Sequence, residues 1–210
     1  MALSKIQTGL VDTNAIGSTE LNLADNFAFT GTVTGAGKIL QTVVAYDSTT
    51  NNYASVNYQN TSLDVAITPT KSNSKFLIRY SVYGGVANHD TAVAFNISDS
   101  LHASGATTHI APHSVSGGDN NGSSGARMAA FTCIGSWASD ASVDNWFVGH
   151  STGEYLYTPA YQNTNARTFT IMVRTSSGYN FRLGMNGQQN TADPRDVRFM
   201  SVISVTEMSA

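Results

Sequence analysis

KFLIRYSVYGG, residues 75–85, sets Phe76, Ile78, Tyr80 and Val82 on one parity and Leu77, Arg79 and Ser81 on the other. Successive side chains of an extended strand point to opposite faces, so this alternation predicts a β-strand with one face in an apolar core, ending at Gly84-Gly85. The same period recurs on both sides. Upstream, Ile39 to Tyr46 and Tyr53 to Gln59 flank Thr49-Thr50-Asn51-Asn52, read as a hairpin-like turn, and Leu63, Val65 and Ile67 alternate up to Pro69. Downstream come Val93, Phe95 and Ile97, then Met128 to Ile134, Tyr155 to Tyr161, Phe169 to Val173, Tyr179 to Leu183, and Val197 to Val205. No long segment carries the 3.6-residue apolar period of a helix. About ten strands joined by polar turns predict an all-β fold, a jelly-roll-like β-sandwich.

Composition agrees with that class. Of 210 residues 41% are hydrophobic and only 12% charged, below the usual quarter, so the solvent faces are built from hydroxyls and amides. A formal net charge of -3, with 11 Lys and Arg scattered along the chain, leaves no basic track for nucleic acid and no polybasic patch for a membrane. No stretch reaches transmembrane length, and MALSKIQTGL lacks the apolar run of a signal peptide, so neither membrane insertion nor general secretion is expected. The single cysteine, Cys133, excludes an internal disulfide and reads as a small buried residue of a strand.

The chain divides near residue 37. In the N-terminal arm, residues 1–37, Leu21, Leu23, Phe27, Phe29 and Val33 share one parity and make an apolar stripe without a partner inside one arm. This stripe is the candidate oligomerisation and anchoring element, and residues 38–210 form the head. Burial of the stripe needs either the head or copies of the same segment from other chains, which a symmetry axis would bring together.

Ser4-Lys5-Ile6-Gln7-Thr8-Gly9 and Asp25-Asn26-Phe27-Ala28-Phe29-Thr30-Gly31-Thr32-Val33-Thr34-Gly35 resemble the opening of small fibre and tail-fibre-like virion proteins of marine and cyanobacterial phages. In the head, Ile67-Thr68-Pro69 with Ser74-Lys75-Phe76-Leu77-Ile78, and Val202-Ile203-Ser204-Val205-Thr206-Glu207-Met208, are similar to an early strand pair and the terminal strand of that family. The resemblance covers the two ends of the chain and skips residues 84–150. It implies a homotrimeric, non-enzymatic virion component, assembled in the host cytoplasm. Its arm would bind other virion proteins, and its head would bind a host-surface glycan or protein. The alternative is a capsid-decoration or tail-connecting protein whose head makes only virion contacts.

Within the head, Ser116, Gly117, Gly118, Asp119, Asn120, Asn121, Gly122, Ser123, Ser124 and Gly125 form a run without an apolar side chain, which reads either as a mobile loop or as the candidate receptor-binding loop. Gly149-His150-Ser151-Thr152-Gly153 matches the G-x-S-x-G of a serine-hydrolase elbow. An elbow needs a helix after the serine and a histidine further along, yet strand-forming residues follow and all five histidines lie at or before His150. The motif is therefore read as a glycine-flanked hairpin turn between Trp146-Phe147-Val148 and the strand from Glu154, and no catalytic residue is assigned. His109 and His113 stand four apart, but Pro112 opposes the helix that would align them as metal ligands. Neither a metal nor a cofactor is expected. Trp137 and Trp146 are read as core aromatics.

Overall fold

The computed structural model describes residues 38–86, 91–102, 110, 130–135, 148–176, 178–185 and 197–210, all within the unit Ala36–Ala210. Among them there is no helix. The strands are β1 (Ile39–Asp47), β2 (Asn51–Tyr53), β3 (Gln59–Ile67), β4 (Lys75–Val86), β5 (Ala92–Asp99), β6 (Thr132–Gly135), β7 (Gly149–Tyr157), β8 (Arg167–Thr175), β9 (Phe181–Leu183) and β10 (Ser201–Met208). They make two antiparallel sheets. One carries β1-β10-β4, with β7 along the other side of β4, the short β9 paired with the end of β4 at Gly84 to Val86, and β2 paired with β9; the second runs β3-β8-β5-β6.

The strand expected from residue 75 buries Phe76, Ile78, Tyr80 and Val82 and turns Arg79 to solvent. Across from it, β8 supplies Phe169, Ile171 and Val173, and β5 supplies Val93, Phe95 and Ile97. The inner faces of the two sheets thus share one apolar core, the arrangement of a β-sandwich. Its rings meet across the layers, Phe76 on Phe169 and Phe95 on Phe181, each pair with centroids 5.4 Å apart. Each such fully buried side chain stabilises the fold by about 1.5 to 3 kcal/mol.

Several local expectations change. Gly84-Gly85 do not stop β4, which runs on to Val86 with β9 as its partner. A side chain at Gly84 would collide with the Phe181 ring, so the glycine admits a close crossing. Thr49 to Asn52 do not join a hairpin, because β1 pairs with β10 and β2 with β9. The Asp47 carboxylate draws this corner together, accepting hydrogen bonds from Thr49 N at 2.8 Å, Thr49 Oγ1 and Ser62 Oγ. The expected strand from Tyr53 to Gln59 is divided between the end of β2 and the start of β3. Cys133 faces outward and is exposed, since its neighbour Ile134 takes the inner face of β6.

Candidate functional site

The solvent side of the first sheet is set by the register of β4 against its neighbours. Arg79 stands opposite Glu154, Ser81 opposite Thr152, and Tyr83 opposite His150. On the other flank Ser204 lies beside Arg79 and Val202 beside Ser81, and β1 extends these rows with Val44 and Tyr46. Period two puts all of these side chains on the outer face.

Arg79 Nε donates to Glu154 Oε2 at 2.5 Å, and both side chains are 58% exposed. A pair in that setting contributes little to stability, about 0 to 1 kcal/mol, and stays open to competing partners. Beside it lies a groove of about 310 Å³, lined by Arg79, Tyr80, Thr152, Gly153 and Glu154. Two of its lining residues, Tyr80 and Gly153, are register partners across β4 and β7. Two residues before Thr152 on β7, the His150 Nε2 shares a 2.8 Å hydrogen bond with Ser81 Oγ. The His150 ring stacks on Tyr83 with centroids 4.1 Å apart, and Tyr83 stacks in turn on Phe199 at 5.6 Å. The face therefore offers hydroxyl, guanidinium and carboxylate groups in a row, with aromatic surface beside them.

The G-x-S-x-G segment is neither an elbow nor a turn. It lies inside β7, and the strand expected to begin at Glu154 already includes it. Gly149, Ser151 and Gly153 face inward, and β6 with Phe131 packs over them. A Cβ at Gly149 would collide with Ile134, and one at Gly153 would come within 2.6 Å of Phe131 and Tyr80. Ser151 is 5% exposed and its Oγ donates to Thr132 Oγ1 at 2.7 Å. Thr132 Oγ1 also bonds the Tyr80 hydroxyl, and burial pushes that phenol above its ordinary range. Small residues at alternate positions are what this crossing demands, and they spell the G-x-S-x-G pattern inside a strand.

Two buried polar clusters have structural roles. Arg167 and Asp99, each 1% exposed, pair at 2.7 Å, while Tyr157 donates to the same Asp99 oxygen at 3.1 Å and Arg167 Nη2 donates to Tyr161 O at 3.0 Å. The guanidinium also lies 5.2 Å from the centre of the Phe76 ring. Burial, and then the charge of Asp99, push the Tyr157 hydroxyl up. Glu207, which flanks Phe76 from β10 as Tyr157 does from β7, accepts a second set of hydrogen bonds, from Gln41, Thr70, Lys71 and Ser74.

The loop Ser116 to Gly125, the stripe Leu21, Leu23, Phe27, Phe29 and Val33, the pair His109 and His113, and Trp137 and Trp146 lie outside the described residues. Among the described residues no group of three or more His, Cys, Asp or Glu is gathered as a metal site. Arg79, Glu154, Thr152 and His150 were not singled out from sequence as a set. The alternation showed which way Arg79 points, but not that β7 lies beside β4 in this register. No protein-family model and no curated protein matches this sequence.

Proposed function

We propose that the chain is a non-enzymatic phage virion fibre protein, anchored by residues 1–37 and presenting a trimeric jelly-roll head for host-surface attachment. The observation that carries the head assignment is nested strand pairing. Setting aside the short β2 and β9, the eight remaining strands pair first with last, second with seventh, third with sixth and fourth with fifth: β1 with β10, β3 with β8, β4 with β7, β5 with β6. The added pairs β10 with β4 and β8 with β5 roll this long folded ribbon into two sheets. Such wrapping supports the jelly-roll reading, a fold common to virion shells and binding heads. The N-terminal resemblance supports the anchor, and the apolar period of the sequence from Leu21 to Val33 supports a trimer.

Light scattering of the full chain is expected to give three times the chain mass. Antibody against the protein should label the particle, and purified protein should compete with particles for adsorption to host cells. A strictly monomeric protein that neither labels particles nor competes would overturn the proposal.

A further inference from the structure

We infer that the outer face of β4 and β7 is a subsite for a neutral, hydroxyl-rich glycan, held between Arg79, Glu154 and Thr152 with Tyr46 as a stacking platform. The inference rests on the attachment reading and supplies the ligand class it leaves open. Arg79 offers a fork of donors and Glu154 two acceptor oxygens, the complement of vicinal sugar hydroxyls, and Thr152 serves either way. The groove they line holds about 310 Å³. The two charges cancel within their own 2.5 Å pair, so the site has no excess charge to select an anionic sugar.

Tyr46, Val202, Ser81 and Thr152 form one register row. With strands about 4.8 Å apart the row is about 14 Å long, and each step is close to the length of one monosaccharide. A linear glycan laid across the strands would thus place successive units over successive side chains. Tyr46, 64% exposed at the β1 end, presents a ring for the apolar face of a sugar. A second copy of this chain fits the face less well. The centre of a protein interface is depleted of charge and closed to water, whereas the centre here is an ion pair 58% exposed on both sides.

The test uses the full chain against immobilised linear oligosaccharides of glucose, mannose, galactose and N-acetylglucosamine in α and β linkage, beside sialylated and uronic-acid oligosaccharides. Binding to a neutral glycan is expected, weakened tenfold or more by Arg79→Ala with Glu154→Ala and, separately, by Tyr46→Ala, with melting temperature and chain mass unchanged. Thr152→Val, which preserves strand preference and removes only the hydroxyl, should weaken it as well. No binding to any neutral glycan, selective binding of the anionic ones, or binding indifferent to these variants would overturn the site. Adsorption competition separates the two readings. Wild type and variants competing equally would leave attachment standing and remove this site. Variant-sensitive glycan binding without competition would keep the site and remove the attachment role.

Discussion

Glu207 is fully buried, yet its carboxylate accepts from Gln41 Nε2 at 2.6 Å, Thr70 N at 2.8 Å, Thr70 Oγ1 at 3.0 Å, Lys71 N at 3.3 Å and Ser74 Oγ at 2.5 Å. Burial alone would raise its pKa, but the donors from Ser74, Gln41 and Thr70 outweigh it and hold the group below its ordinary 4.5. Asp47 follows the same logic, with burial opposed and outweighed by Ser62 and Thr49, and lies below 3.8. Because the folded values are depressed, the stability these groups contribute is fully present above their ordinary values and is lost as pH falls through the folded ones. The melting temperature is therefore expected to be flat from neutral pH down to about 5 and to drop at lower pH. Glu207→Gln should cost about 2 to 3 kcal/mol at neutral pH, since an amide cannot accept from all these donors, and should flatten the acid limb. Denaturant titrations across pH check both; an unchanged acid limb in the variant would show that Glu207 does not set it.

At the scale of an element, β7 carries the sharpest expectations. Gly149→Ala and Gly153→Ala each force a methyl into the β6 crossing and should destabilise by about 1 to 3 kcal/mol. Ser151→Ala loses one buried hydrogen bond and should cost about 1 kcal/mol, with no ester turnover in either protein. Thermal melts and an ester hydrolysis assay decide; ester turnover abolished in the variant would restore the nucleophile. The strands on either side were legible because one buried face enforces alternation, as in Phe76 to Val82. Strand β7 was misread because glycine and serine are themselves turn formers, and what makes them strand residues is Ile134 and Phe131 packed above them, remote in sequence. The extent of β4 was missed for the same reason at Gly84. The outer-face site was only half legible: each strand declares which side chains point outward, but the register that sets Arg79 beside Glu154 is a tertiary fact.

For the molecule as a whole, the head from Lys38 contains the entire described core, so a chain beginning at Lys38 is expected to fold into a soluble β-rich head. If the arm has the proposed role, this shortened chain should be monomeric by light scattering and absent from particles, as should a full chain with Phe27→Asp and Phe29→Asp, because the burial proposed for the Leu21 to Val33 stripe would be lost. A truncated head that stays trimeric or still enters particles would remove the arm from that role. The nested pairing also governs how the chain comes into being. Ile39 is in register with Met208 and Asp47 with Ser201, so among the described strands β1 finds its sheet neighbour more than 150 residues further along the chain. During synthesis β1 and the β10-facing side of β4 must wait, edges open, until residues 201–208 clear the ribosome. A high contact order of this kind makes folding slow and keeps the sandwich from closing until the whole head has been made. Residues 1–37 leave the ribosome before the head can close, so the order of synthesis separates exposure of the proposed anchor from completion of the head.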